Sequence, residues 1–475
     1  MNKSRRMPQP HLLMISPKCL FIVCAVCLVG CSVGPDFQAP GMGLPATWSF
    51  DKRPAAASAN PADLVKWWRR FHDPKLNSLV EQAVDANLDV KIAAARLNQA
   101  RAERQTAAAS FWPWLSASGS QQDAHSGGSG PGAGTNRVYR GGFNAAWEID
   151  IFGGSRRNLE SANARLAAAA ADLDATRLSM AAEVALTYCQ LRSIQDQLGV
   201  AGRNLVMQQR SATITHERRQ AGFASELDVV NSDALVANTK AQIPSLETAA
   251  RRSVHAIAVL LGRPPAELSD MLSEPRPVPT AVSKVPTGIP SDLLRRRPDI
   301  RSAEANAHAA TARIGVAVAD LFPKFAFNGA ISQQSTKLAD WLSPSARVSS
   351  FGPSFNWALF QGGNIQANIR MQQALRDAAV LAYRKTVLGA LQEVEDAMVS
   401  GSNELKRHAA IAEAVSANRR AVELSMNLYT AGQTDFINVL SAQRALLQTE
   451  SEFTLSNLAL ATDLISLYKA LGGGW

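Results

Sequence analysis

A histidine followed by a glutamate is the pairing in this sequence most suggestive of chemistry. His216-Glu217-Arg218-Arg219-Gln220 carries the first half of a helical zinc-hydrolase motif, in which two histidines one turn apart hold the metal and the glutamate acts as base. Gln220 stands where the second histidine is needed, so zinc lacks a ligand. The other histidines, among them His72, His255, His308 and His408, have no metal-ligand spacing, and the methionines are scattered instead of being arranged for a soft metal. Gly130, Gly132 and Gly134 copy the spacing of a dinucleotide loop. Such a loop must lead from a strand into a helix whose N-terminus takes the pyrophosphate, and here extended patterns lie on both sides. No Walker loop occurs. These residues supply no catalytic, metal or cofactor site, and no enzyme is expected.

Sulfur is the exception. Lys3, Arg5, Arg6 and Lys18 precede an apolar run from Cys19 to Gly30. The run is about a dozen residues long, where a spanning helix needs about 20, so it reads as the core of a signal peptide over residues 1–30. Leu28-Val29-Gly30 before Cys31 resembles a bacterial lipobox, whose cysteine takes a diacylglycerol on sulfur and an acyl chain on the freed amine. Ser32 in place of an aspartate resembles the sorting signal for an outer membrane. Cys19, Cys24 and Cys27 leave with the signal and Cys31 is alkylated, so only Cys189 stays free and no disulfide framework forms within the chain. Cys189, beside Tyr188 in an apolar helical stretch, reads as a core thiol.

A chain of 475 residues is about three times the usual single-domain length and must hold several domains or a repeat. With 46% apolar and 19% charged residues it is not mostly disordered, and 30 Gly and 23 Pro are too few for a collagen-like protein. Of the net charge of +9, four units precede the apolar run, which leaves a mildly basic remainder. No basic block interleaved with aromatics appears, so nucleic acid is not a partner.

A repeat is present at an offset of about 210 residues. Asp89-Val90 realigns with Asp299-Ile300, Trp112-Pro113 with Phe322-Pro323, and Ile151-Phe152-Gly153-Gly154 with Leu359-Phe360-Gln361-Gly362. Ala221-Gly222 realigns with Ala431-Gly432 and Leu261-Gly262 with Leu471-Gly472. Each copy, 74–262 and 291–475, reads as a helix, a β-hairpin, a very long helix, a turn and a return helix. The hairpins fall at about 112–152 and 322–360, the turns at about 221–225 and 431–435. Residues 31–73 form an extended N-terminal segment, and 263–290 a linker carrying Pro275, Pro277, Pro279, Pro286 and Pro290. From Ser155 to Gln220 there is no Pro and little Gly, which predicts a helix of about 65 residues and about 100 Å. No globular domain buries such a rod, so it must pack along others in a coiled coil or helical barrel. Ala167 to Ala171 permits close approach, while polar residues on several faces suggest that one side lines water. Gly222 and Gly432 suit the left-handed position ending a helix, Ser225 and Asp228 match a capping box, and Pro298-Asp299 suits a helix start.

In Phe143, Ala145, Trp147, Ile149 and Ile151 the odd positions are apolar, with Asn144, Glu148 and Asp150 between them. Phe351, Phe355, Trp357 and Leu359 alternate in the same way with Gly352, Ser354, Asn356 and Ala358. Period two predicts strands with one apolar face. Trp112–Gln121 and Phe322–Ser332 supply the hairpin partners, the first pair joined by a glycine-rich loop, Gly127 to Gly132. Trp112, Trp114, Phe152, Phe322 and Phe360 near the strand ends fit membrane-boundary girdles. A soluble sheet with one buried face would show the same pattern. In a membrane, four strands cannot close and their edges would leave backbone groups unsatisfied, but three copies of the chain would give twelve strands.

Four stretches carry a resemblance to the TolC family of outer-membrane efflux channels, in its lipoprotein, NodT/OprM-like branch. They are Cys31-Ser32-Val33-Gly34-Pro35-Asp36-Phe37, Leu293-Leu294-Arg295-Arg296-Arg297-Pro298-Asp299-Ile300, Tyr429-Thr430-Ala431-Gly432 with Asn438-Val439-Leu440, and Leu467-Tyr468-Lys469-Ala470-Leu471-Gly472-Gly473. Together they span almost all of the chain after the leader. The resemblance implies a mainly α fold with a transmembrane β region. Two tandem repeats would give four strands per chain to a trimeric 12-stranded β-barrel, continued by a long periplasmic α-helical barrel. It implies a homotrimer, lipid-anchored in the outer membrane of a Gram-negative bacterium. It implies two protein partners, a periplasmic membrane-fusion adaptor and an inner-membrane efflux transporter, usually of the resistance-nodulation-division class. The cargo would be drugs or other toxic small molecules. It places the two turns, with Gly222 and Gly432, at a periplasmic tip that is closed at rest. In the family an Asp commonly follows the Val-Leu pair of the second turn. Here that position is Ser441, so an acidic ring is not expected. Closure would rest on Ile437, Asn438, Ser441 and Tyr429, with Asp228 and Asp435 as polar links between turns. A conduit for type I protein secretion and a non-transporting trimeric coiled-coil lipoprotein remain as alternatives.

Overall fold

The computed structural model of the chain describes residues 32–50, 65–127, 134–280 and 290–473. The leader, Cys31, the Gly128-to-Gly132 part of the first hairpin loop and residues 281–289 of the linker lie outside them. The chain divides into two compact units. The first comprises Met1–Ala39, Ala100–Leu166 and Asn306–Ala379, and the second Pro40–Gln99, Ala167–Ala305 and Val380–Trp475.

The elements come in two sets. In the first copy they are α1 (Pro74–Ala86), α2 (Leu88–Ala109), β1 (Trp114–Ser126), β2 (Gly134–Ile149), α3 (Gly154–Gln220) and α4 (Glu226–Leu260). In the second they are α5 (Pro298–Ala319), β3 (Lys324–Ser335), β4 (Arg347–Asn356), α6 (Asn364–Thr430) and α7 (Phe436–Ala470). Helices α2 and α5 both have 22 residues, α3 and α6 both 67, and α4 and α7 both 35. Trp147 Nε1 donates to Phe111 O and Trp357 Nε1 to Leu321 O, both at 3.0 Å. This equivalence matches Gly153 to Gly363, both at positive φ. Ile151–Gly154 therefore corresponds to Gln361–Asn364, two residues beyond the Leu359–Gly362 pairing that motif similarity suggests.

Local chemistry sets the ends of these elements. Asp73 caps α1 by accepting from Lys75 N and Leu76 N, with Pro74 in the first turn. At the start of α3 the Asp150 carboxylate accepts from Ser155 N and Arg156 N. The return helix α4 opens on a capping box: Ser225 Oγ accepts from Asp228 N at 3.1 Å and Asp228 Oδ2 accepts from Ser225 N at 3.0 Å. Gly222 and Gly432 end the two long helices at φ +79° and +75°, where a side chain would be strained. Phe223 N reaches back to Arg218 O and Gln433 N to Leu428 O, so both ends close in the same left-handed cap.

In the first unit the four strands pair antiparallel in the order β1-β2-β3-β4. β1 and β3 each follow a proline, Pro113 and Pro323, which has no N–H for the ladder. The ladder stops there, so Trp112 and Phe322 precede the strands, and Ile151, Phe152, Trp357, Leu359 and Phe360 fall past them. The other strand ends run on beyond Gln121 and Ser332, to Ser126 and Ser335.

The second unit holds three apolar clusters. In the largest, Trp67 stacks on Tyr468 at 5.5 Å, beside Leu76, Leu79, Ile257 and Leu261, and the Tyr188 hydroxyl donates to Asp73 at 2.7 Å. A second gathers Trp48, Ile300, Tyr383, Val387 and Leu471, and a third Leu235, Tyr429, Phe436, Val439 and Leu440.

Candidate functional site

Strand register decides which side chains share a face. Leu115 pairs with Ala145, Ala145 with Gly329 and Gly329 with Phe351; Ala117, Phe143 and Ile331 form the next row, and Ile149, Phe325 and Phe355 another. This face is apolar across all four strands, with Ser349 on β4, opposite Ile331, as the exception. It lies open, with Phe143 at 59%, Phe355 at 69% and Phe351 at 81% exposure. The opposite face is polar: Asn144 Nδ2 donates to Ser118 Oγ and Asn328 Nδ2 to Ser354 Oγ. β1 and β4 are edges, each with one side of its backbone unpaired within the chain. An open apolar sheet with two such edges would associate in water, and in lipid each unsatisfied group costs several kcal/mol. Joining β1 of one copy to β4 of the next removes both problems. Among the described residues no helix is long and apolar enough to cross a membrane.

At the helix end of the sheet, the residues that follow Cys31 are held firmly. Val33 N donates to Phe152 O at 3.1 Å. Arg157, nearly buried, donates to Val33 O, Gly34 O and Asp36 Oδ1, and its Nη1 to Glu160 Oε2 at 2.8 Å. His308 Nε2 lies 2.9 Å from Glu160 Oε1, and its ring stacks on Phe37 at 4.5 Å. A Cβ on Gly34 would sit 2.4 Å from Gly315 Cα, so both glycines are needed for the approach. Burial alone would raise the Glu160 carboxyl, but Arg157 and His308 outweigh it and hold it below the ordinary glutamate range.

The two turns of the second unit meet at Arg218, beside the apolar cluster that Leu235 shares with Tyr429 and Phe436. Arg218, near the end of α3, donates to Thr430 O at 3.0 Å and lies 4.8 Å over the Tyr429 ring, which meets Phe436 edge-on at 5.4 Å. Tyr429 is thus buried by its own chain. Among the described residues its hydroxyl is buried without a hydrogen-bond partner. Ile437, Asn438 and Ser441 lie outside: Ile437 is 54% exposed, Asn438 Nδ2 donates to Thr434 Oγ1 at 2.6 Å, and Ser441 Oγ donates to Ile437 O at 2.7 Å. Asp228 is engaged in the capping box, whereas Asp435 precedes α7 with an exposed carboxylate that makes no capping bond. Gly222 and Gly432 are exposed in their turns.

His216 faces Asp233 at 3.0 Å, and among the described residues no group of three or more His, Cys, Asp or Glu could hold a metal. Cys189 is fully buried, which pushes its thiol up to about 12. Three arginines escaped sequence reasoning. Arg157 grips the N-terminal segment, Arg218 bridges the turns, and Arg297 donates to Asp299, Glu393 and Ala470 O. Arg297 lies in the Arg-Arg-Arg-Pro-Asp stretch, where only the helix start was legible.

A family model described as outer membrane efflux protein matches residues 79–263 and 289–473. Nodulation protein T of Rhizobium leguminosarum bv. trifolii is 33% identical over 449 residues, covering 94% of this chain and 95% of that protein. The antibiotic efflux pump outer membrane protein ArpC of Pseudomonas putida is 30% identical over 462 residues, covering 95% and 94%. A solved structure of the outer-membrane channel OprN superposes with a TM-score of 0.86 at 38% identity, over 94% of this chain and all of that one. The shared fold is that of the trimeric TolC-type channels, mainly helical with four strands and two repeats. With the family model covering both repeats and relatives matching nearly end to end, the chain belongs to the outer membrane efflux protein (TolC) family of channels, in its NodT/OprM-like branch, and is the outer-membrane channel component of an efflux system.

Proposed function

We propose that three copies of the chain join β1 to β4 into a twelve-stranded barrel and pass small toxic molecules outward from an inner-membrane transporter, of the resistance-nodulation-division class, through a periplasmic membrane-fusion adaptor. The observation that carries this reading is the open apolar face with two unpaired edges, which only association completes. Each copy then contributes the repeats 74–262 and 291–475, joined by the 263–290 linker. Cys31 carries the diacylglycerol and acyl chains, and residues 31–73 run from that anchor into the first repeat. A pore of this kind needs no catalytic group and no cofactor.

The paired turns are the periplasmic tip. Threefold symmetry turns each exposed side chain there into a ring, so Ile437, Asn438 and Ser441 close the pore by apolar and hydrogen-bonded contacts. Asp435 supplies a polar link to the neighbouring turn, while Tyr429, Gly222, Gly432 and Asp228 hold the turns in shape. An adaptor that binds the unwound tip more tightly than the closed one shifts the population toward opening. Detergent-extracted protein should be a trimer by mass and should conduct ions in a planar bilayer. Crosslinking in cells should recover an adaptor and an inner-membrane transporter. A monodisperse monomer, or a trimer without conductance, would refute the reading.

A further inference from the structure

The apolar face of the sheet ends abruptly. Moving away from the helices, its rows run through Ile149, Trp147, Ala145 and Phe143 to a row made of Gly119, Gly141, Gln333 and Arg347. Beyond that row the same face carries Gln121 with Tyr139, an aromatic with a polar tip, and then turns fully polar with Asp123 ion-paired to Arg137 at 2.7 Å. From Ile149 to Gly141 is about 26 Å along the strand, or about 20 Å along the normal at the usual tilt, close to the apolar band of a membrane barrel. The girdle row at its outer end should carry an aromatic, yet the strands place two glycines there.

An aromatic reaches that row from outside the strands. The β3–β4 loop folds back so that the Trp341 ring covers Gly141, where a Cβ would come within 2.5 Å of ring carbon Cζ2. Since Gly141 alternates in register with Phe143 and Ala145, Trp341 lies on the apolar, membrane-facing side. Its loop neighbours Leu338 and Leu342 are 65% and 78% exposed. Lys337 opens the loop and Arg347 closes it, the latter on the same face as Gly141; the loop's one carboxylate, Asp340, is also exposed. Arg347 and Trp341 thus lie at the level where the apolar band ends, and the same short loop adds a second exposed cation, Lys337, and two exposed leucines, a set that matches an anionic headgroup above acyl chains.

We propose that the Lys337–Arg347 loop is a lipid-binding site at the outer rim, taking a phosphate-bearing glycolipid of the outer leaflet. Lys337 and Arg347 meet its phosphates, and Trp341, Leu338 and Leu342 meet the acyl boundary. The assignment rests on the membrane reading of the sheet. Purified trimer is titrated with bisphosphorylated lipid A and with the same lipid dephosphorylated, and bound lipid is counted by native mass spectrometry. Lys337→Gln with Arg347→Gln should weaken binding of the phosphorylated lipid about 30-fold, at roughly a tenfold change per 1.4 kcal/mol and about 1 kcal/mol per cation, and leave the dephosphorylated lipid unaffected. Equal affinity of parent and variant for the phosphorylated lipid would overturn it. In a second measurement Leu342→Cys carries a fluorophore, in vesicles with brominated acyl chains. Quenching by those lipids and shielding from iodide is expected; the reverse would place the loop in water and refute the site. The double variant should keep parental conductance, because its side chains sit outside the conduit; loss of conductance would move them into it. A parent that binds the lipid yet conducts nothing would sink the channel reading and leave the loop assignment standing.

Discussion

Substitutions at Tyr429 separate packing at the tip from hydrogen bonding there. The Tyr429 hydroxyl is buried and unpaired among the described residues, so Tyr429→Phe breaks no bond and sheds an unfavourable desolvation of about 1 kcal/mol. Tyr429→Ala instead removes the ring between Arg218 and Phe436, at a cost of about 3–5 kcal/mol for the cavity and about 0.5–1 kcal/mol for the cation contact. If unwinding of the tip opens the pore, that packing belongs to the closed state alone. A loss of even 3 kcal/mol then raises the open-to-closed ratio roughly 150-fold. Purified trimers in planar bilayers should show high open probability for the alanine variant and parental behaviour for phenylalanine. Entry of a bulky antibiotic into cells should rise with alanine alone, and Ile437→Gly, which thins the proposed ring without touching the tip core, should add to it. A folded alanine trimer with parental open probability would remove Tyr429 from the closing mechanism, and a phenylalanine variant as leaky as alanine would show that the hydroxyl, not the packing, matters.

Three further outcomes are expected. Because the folded-state Glu160 carboxyl titrates lower than in the unfolded chain, its contribution is present above the unfolded value and is lost as pH falls through the folded one. Protease cleavage within residues 32–39 should therefore increase below about pH 4, and Glu160→Gln should abolish that step. Cys189, buried with its thiol pushed up to about 12, should resist maleimide in the native protein at pH 7 and react on unfolding. Cys31→Ala with a conventional cleavage site should stay in the outer-membrane fraction, since the barrel alone suffices to hold it there; a wholly soluble variant would contradict the barrel.

The alternation of Phe143, Trp147 and Phe351 announces which face is apolar, because side-chain period depends only on local backbone geometry. It says nothing of what covers that face, and the fold-back of Trp341 onto Gly141 leaves no periodic trace. The long helices were legible for the same local reason, through the absence of Pro and the glycine that ends each one. Arg157 and Arg297 were not: each gathers partners brought in from distant segments, and an arginine's sequence neighbours do not distinguish a buried hub from a solvated charge. Motif similarity also misled at Ile151–Gly154, where a shared Phe-x-Gly pattern outweighed a register that the two tryptophan hydrogen bonds set two residues away. At the turn, the resemblance groups Tyr429 with Ile437, Asn438 and Ser441, but which of them faces inward is set by helix geometry, which buries Tyr429 and exposes Ile437.

The contact across the two turns bears on how the duplication must have diverged. Arg218 belongs to the first copy, where the second has Leu428; Tyr429 and Phe436 belong to the second, where the first has Arg219 and Glu226. Each half owns one side of the contact. A ring of six half-chains built from the first copy would set Arg218 beside Arg219 and Glu226, with no aromatic ring to stack on, and six built from the second would bring leucine to aromatic rings with no cation to cap them. A ring of like halves would therefore lose this contact: the halves fit as lock and key, and their covalent fusion guarantees that they are made in equal numbers and set in alternating order around the axis.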